Sequence, residues 1–178
     1  MPAYTGADIA RAFRGVRSHT IQIANEIPED KYSATGAPGT RTVAHLLTHI
    51  ALGARFQRAI HGGTRESLAH FDFQSLMKGL AAEEATPRTK AEIIAFLTSE
   101  GEEFARWVET LGDEFLAEPL GLVPGQPSKT RLEMLLSPKE HEMHHRAQLM
   151  LIERQLGLVP HLTRARQEQM AAAAAAKG

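Results

Sequence analysis

The feature that most constrains this chain is a 3.6-residue apolar period that recurs in four long, separated stretches. In residues 5–25, Ile9, Ala12, Phe13, Val16, Thr20, Ile23 and Ala24 follow the i, i+3, i+4 spacing of a helix with one buried stripe. Thr5 is placed to cap this helix, and Pro28 ends it. A second helix is expected from Arg41 to about Ile60, capped by Thr40 and stopped at His61-Gly62-Gly63, where a glycine can take the left-handed cap conformation. The third runs from Lys90 to Leu111, with Thr89 and Glu92 spaced as a capping box. The fourth spans about Ser128 to Leu156, closed by Gly157, and Pro138 within it predicts a kink or a restart. The pattern in Ser137-Pro138-Lys139-Glu140 also reads as a capping box. A short crossing helix is expected near 72–84. Residues 112–127, with three Gly and three Pro, read as a connection. No segment alternates with the two-residue period of a strand.

These stretches predict an all-α protein, a four-helix bundle over residues 1–162. The tail, 163–178, is expected to be an Ala-rich helix or a frayed end, since six consecutive Ala give it no strong apolar face. At 178 residues, one domain with a sizeable core is the expectation. The net charge of −1 gives no reason to expect a nucleic-acid or acidic membrane partner. No apolar run reaches a membrane span, and no signal-peptide core precedes the first helix, so the reading is cytoplasmic. Cysteine is absent, which excludes disulfides, thiolate ligands and a cysteine nucleophile.

Nine histidines remain, and two of them carry a spacing argument. His141 and His145 lie one helical turn apart on one face, where two imidazoles can chelate one divalent ion. A third ligand must come from another element. His49 is the best candidate, because Leu46, Leu47, Ile50 and Ala51 turn its helix toward the core; His45, one turn earlier, is the alternative. His144 points about 100° away from its neighbours and is expected to face outward or to support the site from behind its ligands. His141-Glu142-Met143-His144-His145 also spells the H-E-x-x-H signature of zinc proteases, which makes Glu142 the candidate general base. Gln148 and Leu151 occupy the places where the longer protease motif needs Gly and His, and there is no edge strand to hold a peptide. A di-iron centre needs two Glu-x-x-His motifs, and only Glu142 to His145 has that spacing.

The stretch Arg41 to Ala51 around His49, together with His141 to Leu149 and the close Leu156-Gly157-Leu158-Val159-Pro160, resembles the DinB/YfiT-like family over residues 5–162. Ala147 departs from its pattern, where many relatives carry Gly, and His45 is an additional histidine. The resemblance implies a four-helix bundle, commonly a homodimer, with a divalent metal on His49, His141 and His145. It implies a metal-dependent enzyme of the thiol S-transferase type acting on a small molecule with a low-molecular-weight thiol. The alternatives are a metal-dependent hydrolase or a non-enzymatic metal-binding stress protein. Zinc or nickel is the expected ion. Three His with an open position are the layout of a catalytic site.

Overall fold

The computed structural model describes residues 4–62, 68–121 and 128–176. Helix α1, Gly6–Glu26, opens on a capping box in which Thr5 accepts from the Asp8 backbone and the Asp8 carboxylate reaches back. Helix α2 runs Val43–His61, α3 runs Phe73–Glu84, and α4 runs Lys90–Glu109 behind the expected Thr89/Glu92 box. A short α5, Asp113–Ala117, follows, and then α6, Arg131–Leu135, and α7, Ser137–Gln155. Helix α8, His161–Ala175, closes the described chain, so the tail is helical. The strand content among the described residues is a two-stranded antiparallel ribbon, β1 (Pro119–Leu120) with β2 (Lys129–Thr130), and an isolated bridge between Thr35 and Thr42.

The four long helices are α1, α2, α4 and α7. Helix α1 packs along α4 and α7, and so does α2, which sets α1 and α2 across a diagonal of the bundle. Helix α3 lies against α2, outside the four. Two larger apolar clusters fill the interior, and a third, smaller one holds Ile60, Leu68, Leu120 and Met134. One of the larger two holds Ile23, Leu46, Leu47, Leu97, Leu149 and Ile152. The other holds Ile9, Phe13, Ala54, Phe104, Val108 and Leu135. Each fully buried Leu, Ile, Val or Phe side chain among them contributes about 1.5–3 kcal/mol by leaving water.

A polar layer separates the two larger clusters. Arg17 of α1 is 4% exposed, and its guanidinium touches the other three bundle helices. Its Nε donates to Glu142 Oε1 of α7 at 2.9 Å, its Nη1 to the Leu97 carbonyl of α4 at 2.6 Å, and its Nη2 to the Ile50 carbonyl of α2 at 3.3 Å. Gly101 makes room for it: a Cβ there would stand 3.0 Å from Arg17 Cγ.

Four boundaries differ from expectation. Helix α2 starts at Val43 with Thr42 as its cap, because the bridge to Thr35 holds Thr42 extended; Thr40 instead bonds Ala37 within its own turn. Gly62 caps α2 at φ −74°, without the left-handed conformation, and Gly63 lies outside the described residues. The fourth stretch becomes helical at Arg131 and not at Ser128, because Lys129 and Thr130 pair with β1; its restart at Ser137, ahead of Pro138, is the one the proline predicts, since its ring has no N–H to bond backwards. Ser137 forms no capping box, since Leu136 stands at the cap position in helical conformation. Gly157 does take the left-handed conformation, φ +79°, after α7.

Candidate metal centre

Helix α2 brings His49, and the first half of α7 brings His141 and His145, to one point on the bundle surface. His49 Nε2 lies 3.1 Å from His141 Nε2, and His145 Nε2 lies 3.1 Å from the same atom. The three ligand atoms all fall within 4.8 Å of one another, the single such grouping among the described residues.

The outer nitrogens define the chemistry. His49 Nδ1 stands 2.9 Å from Glu84 Oε2 of α3, and a carboxylate only accepts, so Nδ1 carries the proton and Nε2 a lone pair. His145 Nδ1 stands 2.9 Å from Gln148 Oε1, which fixes the same tautomer; the Gln148 amide nitrogen is turned to His144 Nε2 at 3.2 Å. Two lone pairs are therefore aimed at the point where the third ring nitrogen also arrives. Such an arrangement suits a cation, and outer hydrogen bonds of this kind orient metal-binding histidines. Imidazole donors suit several divalent ions, zinc, copper, iron and nickel among them.

Burial, with His145 and His49 beside it, lowers the His141 pKa to about 4; burial also lowers that of His145. Both rings are thus neutral, the form that coordinates metal, at physiological pH. Burial pushes the Glu84 carboxyl up, but hydrogen bonds from Arg41 and His49 outweigh it and hold the carboxyl below its ordinary value. The charge of Glu84 therefore persists beside the triad. Gly53 of α2 faces His141, and a Cβ there would come within 2.9 Å of His141 Nδ1. The ring occupies the space that this missing side chain leaves.

Of the residues expected at a site, the structure brings His49, His141 and His145 together. His45 and His144 are exposed and stand outside the triad. Glu142, the candidate base, is not brought there. One position along the helix is a rotation of about 100°, which turns its carboxylate toward Arg17, where it is 1% exposed. Sequence reasoning missed Glu84, Gly53 and Arg17, none of which has a fixed spacing from the histidines. The nearest available signal was Arg17 itself, a charge in the otherwise apolar stripe of α1.

A pocket of about 350 Å³ opens beside the triad, between α2, α3 and the first turns of α7, with His49 and His141 in its wall. No helix among the described residues is long and apolar enough to cross a membrane.

A four-helix bundle with a three-histidine cluster and an adjoining pocket defines the class. Residues 12–149 match the family model of the DinB superfamily, and the chain belongs to that superfamily. Solved structures show the same fold. YfiT from Bacillus subtilis, described as a probable metal-dependent hydrolase with an unusual four-helix bundle topology, is 14% identical, with TM-score 0.64 over 86% of this chain and 88% of that one. A DinB-like protein from Bacillus cereus ATCC 10987 is 18% identical, with TM-score 0.65 over 86% and 93%. The DinB-like protein YjoA from Bacillus subtilis is 22% identical, with TM-score 0.55 over 84% and 91%. No curated protein matches the chain.

Proposed function

We propose that this protein binds a divalent metal, zinc or nickel, through His49, His141 and His145, and uses it to catalyse a reaction of a small molecule. The observation that carries this reading is the convergence of three imidazole nitrogens, two of them with tautomers fixed by Glu84 and Gln148. When bound, the metal would supply a Lewis acid able to activate a thiolate or a water. The chain's own residues do the rest: Glu84 and Gln148 orient two rings, Gly53 admits the third, and the apolar pocket wall shields bound substrate from water. Glu142 holds α7 to α1 through Arg17, which makes it a positioning residue.

The reaction we favour is transfer of a low-molecular-weight thiol to an electrophile, the chemistry that the resemblance to the DinB/YfiT-like family implies; the absence of cysteine fits an exogenous thiol without demanding one. Hydrolysis is the second reading, favoured by the likeness to YfiT. Assembly as a cytoplasmic homodimer is part of the same proposal. The test is metal content per chain, measured on untagged protein. His49→Ala, His141→Ala and His145→Ala should each lose most bound metal, while His45→Ala and His144→Ala should keep it. Retention by all five overturns the metal reading. A screen of electrophiles and esters, with and without thiols, then separates transfer from hydrolysis.

A further inference from the structure

The pocket beside the triad is built for something other than water. Its wall is mainly apolar, with Leu52 and Phe56 from α2, Met77, Leu80 and Ala81 from α3, and Pro138 from α7. Met77 is 53% exposed, a large apolar side chain that the protein leaves uncovered. Helix α3 has no buried residue, so its apolar side serves the pocket more than the core. Gln57, also in the wall, is only 8% exposed, and its Oε1 has no hydrogen-bond partner among the described residues. A buried acceptor of this kind is destabilising unless a donor reaches it.

The volume sets the size of the occupant. A cavity of ~150 Å³ holds benzene, and this pocket, at about 350 Å³, is larger than that by roughly one more ring. It also falls at the lower end of the range for small-molecule sites. Continuity sets the orientation, since His49 and His141 belong to both pocket and triad.

We propose that the pocket takes the apolar body, naphthalene-sized and bearing one N–H or O–H, of a small molecule whose polar reacting group lies against the three histidines. The polar end rests on the metal reading above; the apolar end does not.

The experiment has one arm for each end and uses the full chain. Calorimetric titration of 2-naphthol into metal-free protein tests the pocket alone. Binding is expected, weakened at least about tenfold by Ala81→Trp, which fills the space, and by Met77→Lys, which charges the wall. Both positions are exposed on α3, and circular dichroism checks that each variant folds. Absence of 2-naphthol binding, or equal binding by both folded variants, overturns the proposal. In the second arm, 2-naphthohydroxamate and acetohydroxamate, which share one chelating head, are titrated into zinc-loaded protein. The naphthyl compound should bind at least about tenfold tighter, and Ala81→Trp should abolish that ratio without moving acetohydroxamate. Equal affinities would separate the pocket from the triad and overturn the proposed orientation. If zinc is not retained, the nickel-loaded protein takes its place; failure to retain either ion overturns the metal reading, and the first arm then decides the pocket by itself.

Discussion

Arg17 and Glu142 form a buried ion pair that fastens α1 to α7 within the helical turn that begins at His141, and both Glu142 oxygens lie within 3.0 Å of Arg17 Nε. Removing one partner of such a pair leaves the other charge buried and costs about 3–5 kcal/mol. Glu142→Gln should therefore lower the urea midpoint of unfolding while leaving metal content near that of the parent protein. A variant that keeps its stability and loses only activity would restore Glu142 as a base.

Gly53 gives a test in which stability and metal binding move in opposite directions. Alanine in a helix interior is favoured over glycine by about 1 kcal/mol. Its Cβ would also press on His141 Nδ1 at 2.9 Å. Gly53→Ala should thus fold at least as well as the parent and bind zinc more weakly. Equilibrium competition with a chromophoric chelator measures the second quantity, and an unchanged zinc affinity would show that the His141 ring moves aside freely.

Glu84 holds His49 from α3, a helix outside the bundle. Outer partners of this type are worth roughly 10–100-fold in metal affinity. Glu84→Ala is expected to weaken zinc binding by that factor, and Glu84→Gln, which can still accept a hydrogen bond, by less. Equal losses in the two variants would mean that the charge matters and the orientation does not.

Glu153 supplies a pH signature away from the triad. It is 0% exposed with neither oxygen partnered among the described residues, and burial, with Glu26 nearby, pushes its pKa up to about 7. Between its ordinary value of 4.5 and about 7, the folded chain holds a proton that the unfolded chain releases. Stability contributed by this group is therefore present below about 4.5 and lost as pH rises through 7. Glu153→Gln should be more stable than the parent by on the order of 2 kcal/mol at pH 8, and nearly equal to it at pH 5. Denaturant titrations at the two pH values check this, and a difference independent of pH would refute it.

The helices that could be read from the chain are those whose ends and interiors agree. Thr5 with Asp8 and Thr89 with Glu92 cap α1 and α4 where the apolar period begins. His141 and His145 were legible because a four-residue spacing acts within one helix. What escaped depends on contacts between distant segments. The start of α2 turns on a bridge from Thr42 to Thr35, and the late start of α6, at Arg131, follows from pairing of Lys129 with Leu120. Both Thr40 and Thr42 have the chemistry of a cap, and local pattern cannot choose between them. Glu84 and Gly53 meet the histidines only once α3 and α7 have packed on α2.

The separation of His49 from His141 by 92 residues also sets a clock. Helix α2 leaves the ribosome long before α7 exists, and a single imidazole holds a divalent ion weakly. The nascent chain therefore carries no competent site until its last bundle helix has emerged and closed between α1 and α2. On the metal reading proposed above, the ion would be taken up by a finished bundle, from whatever is available after folding.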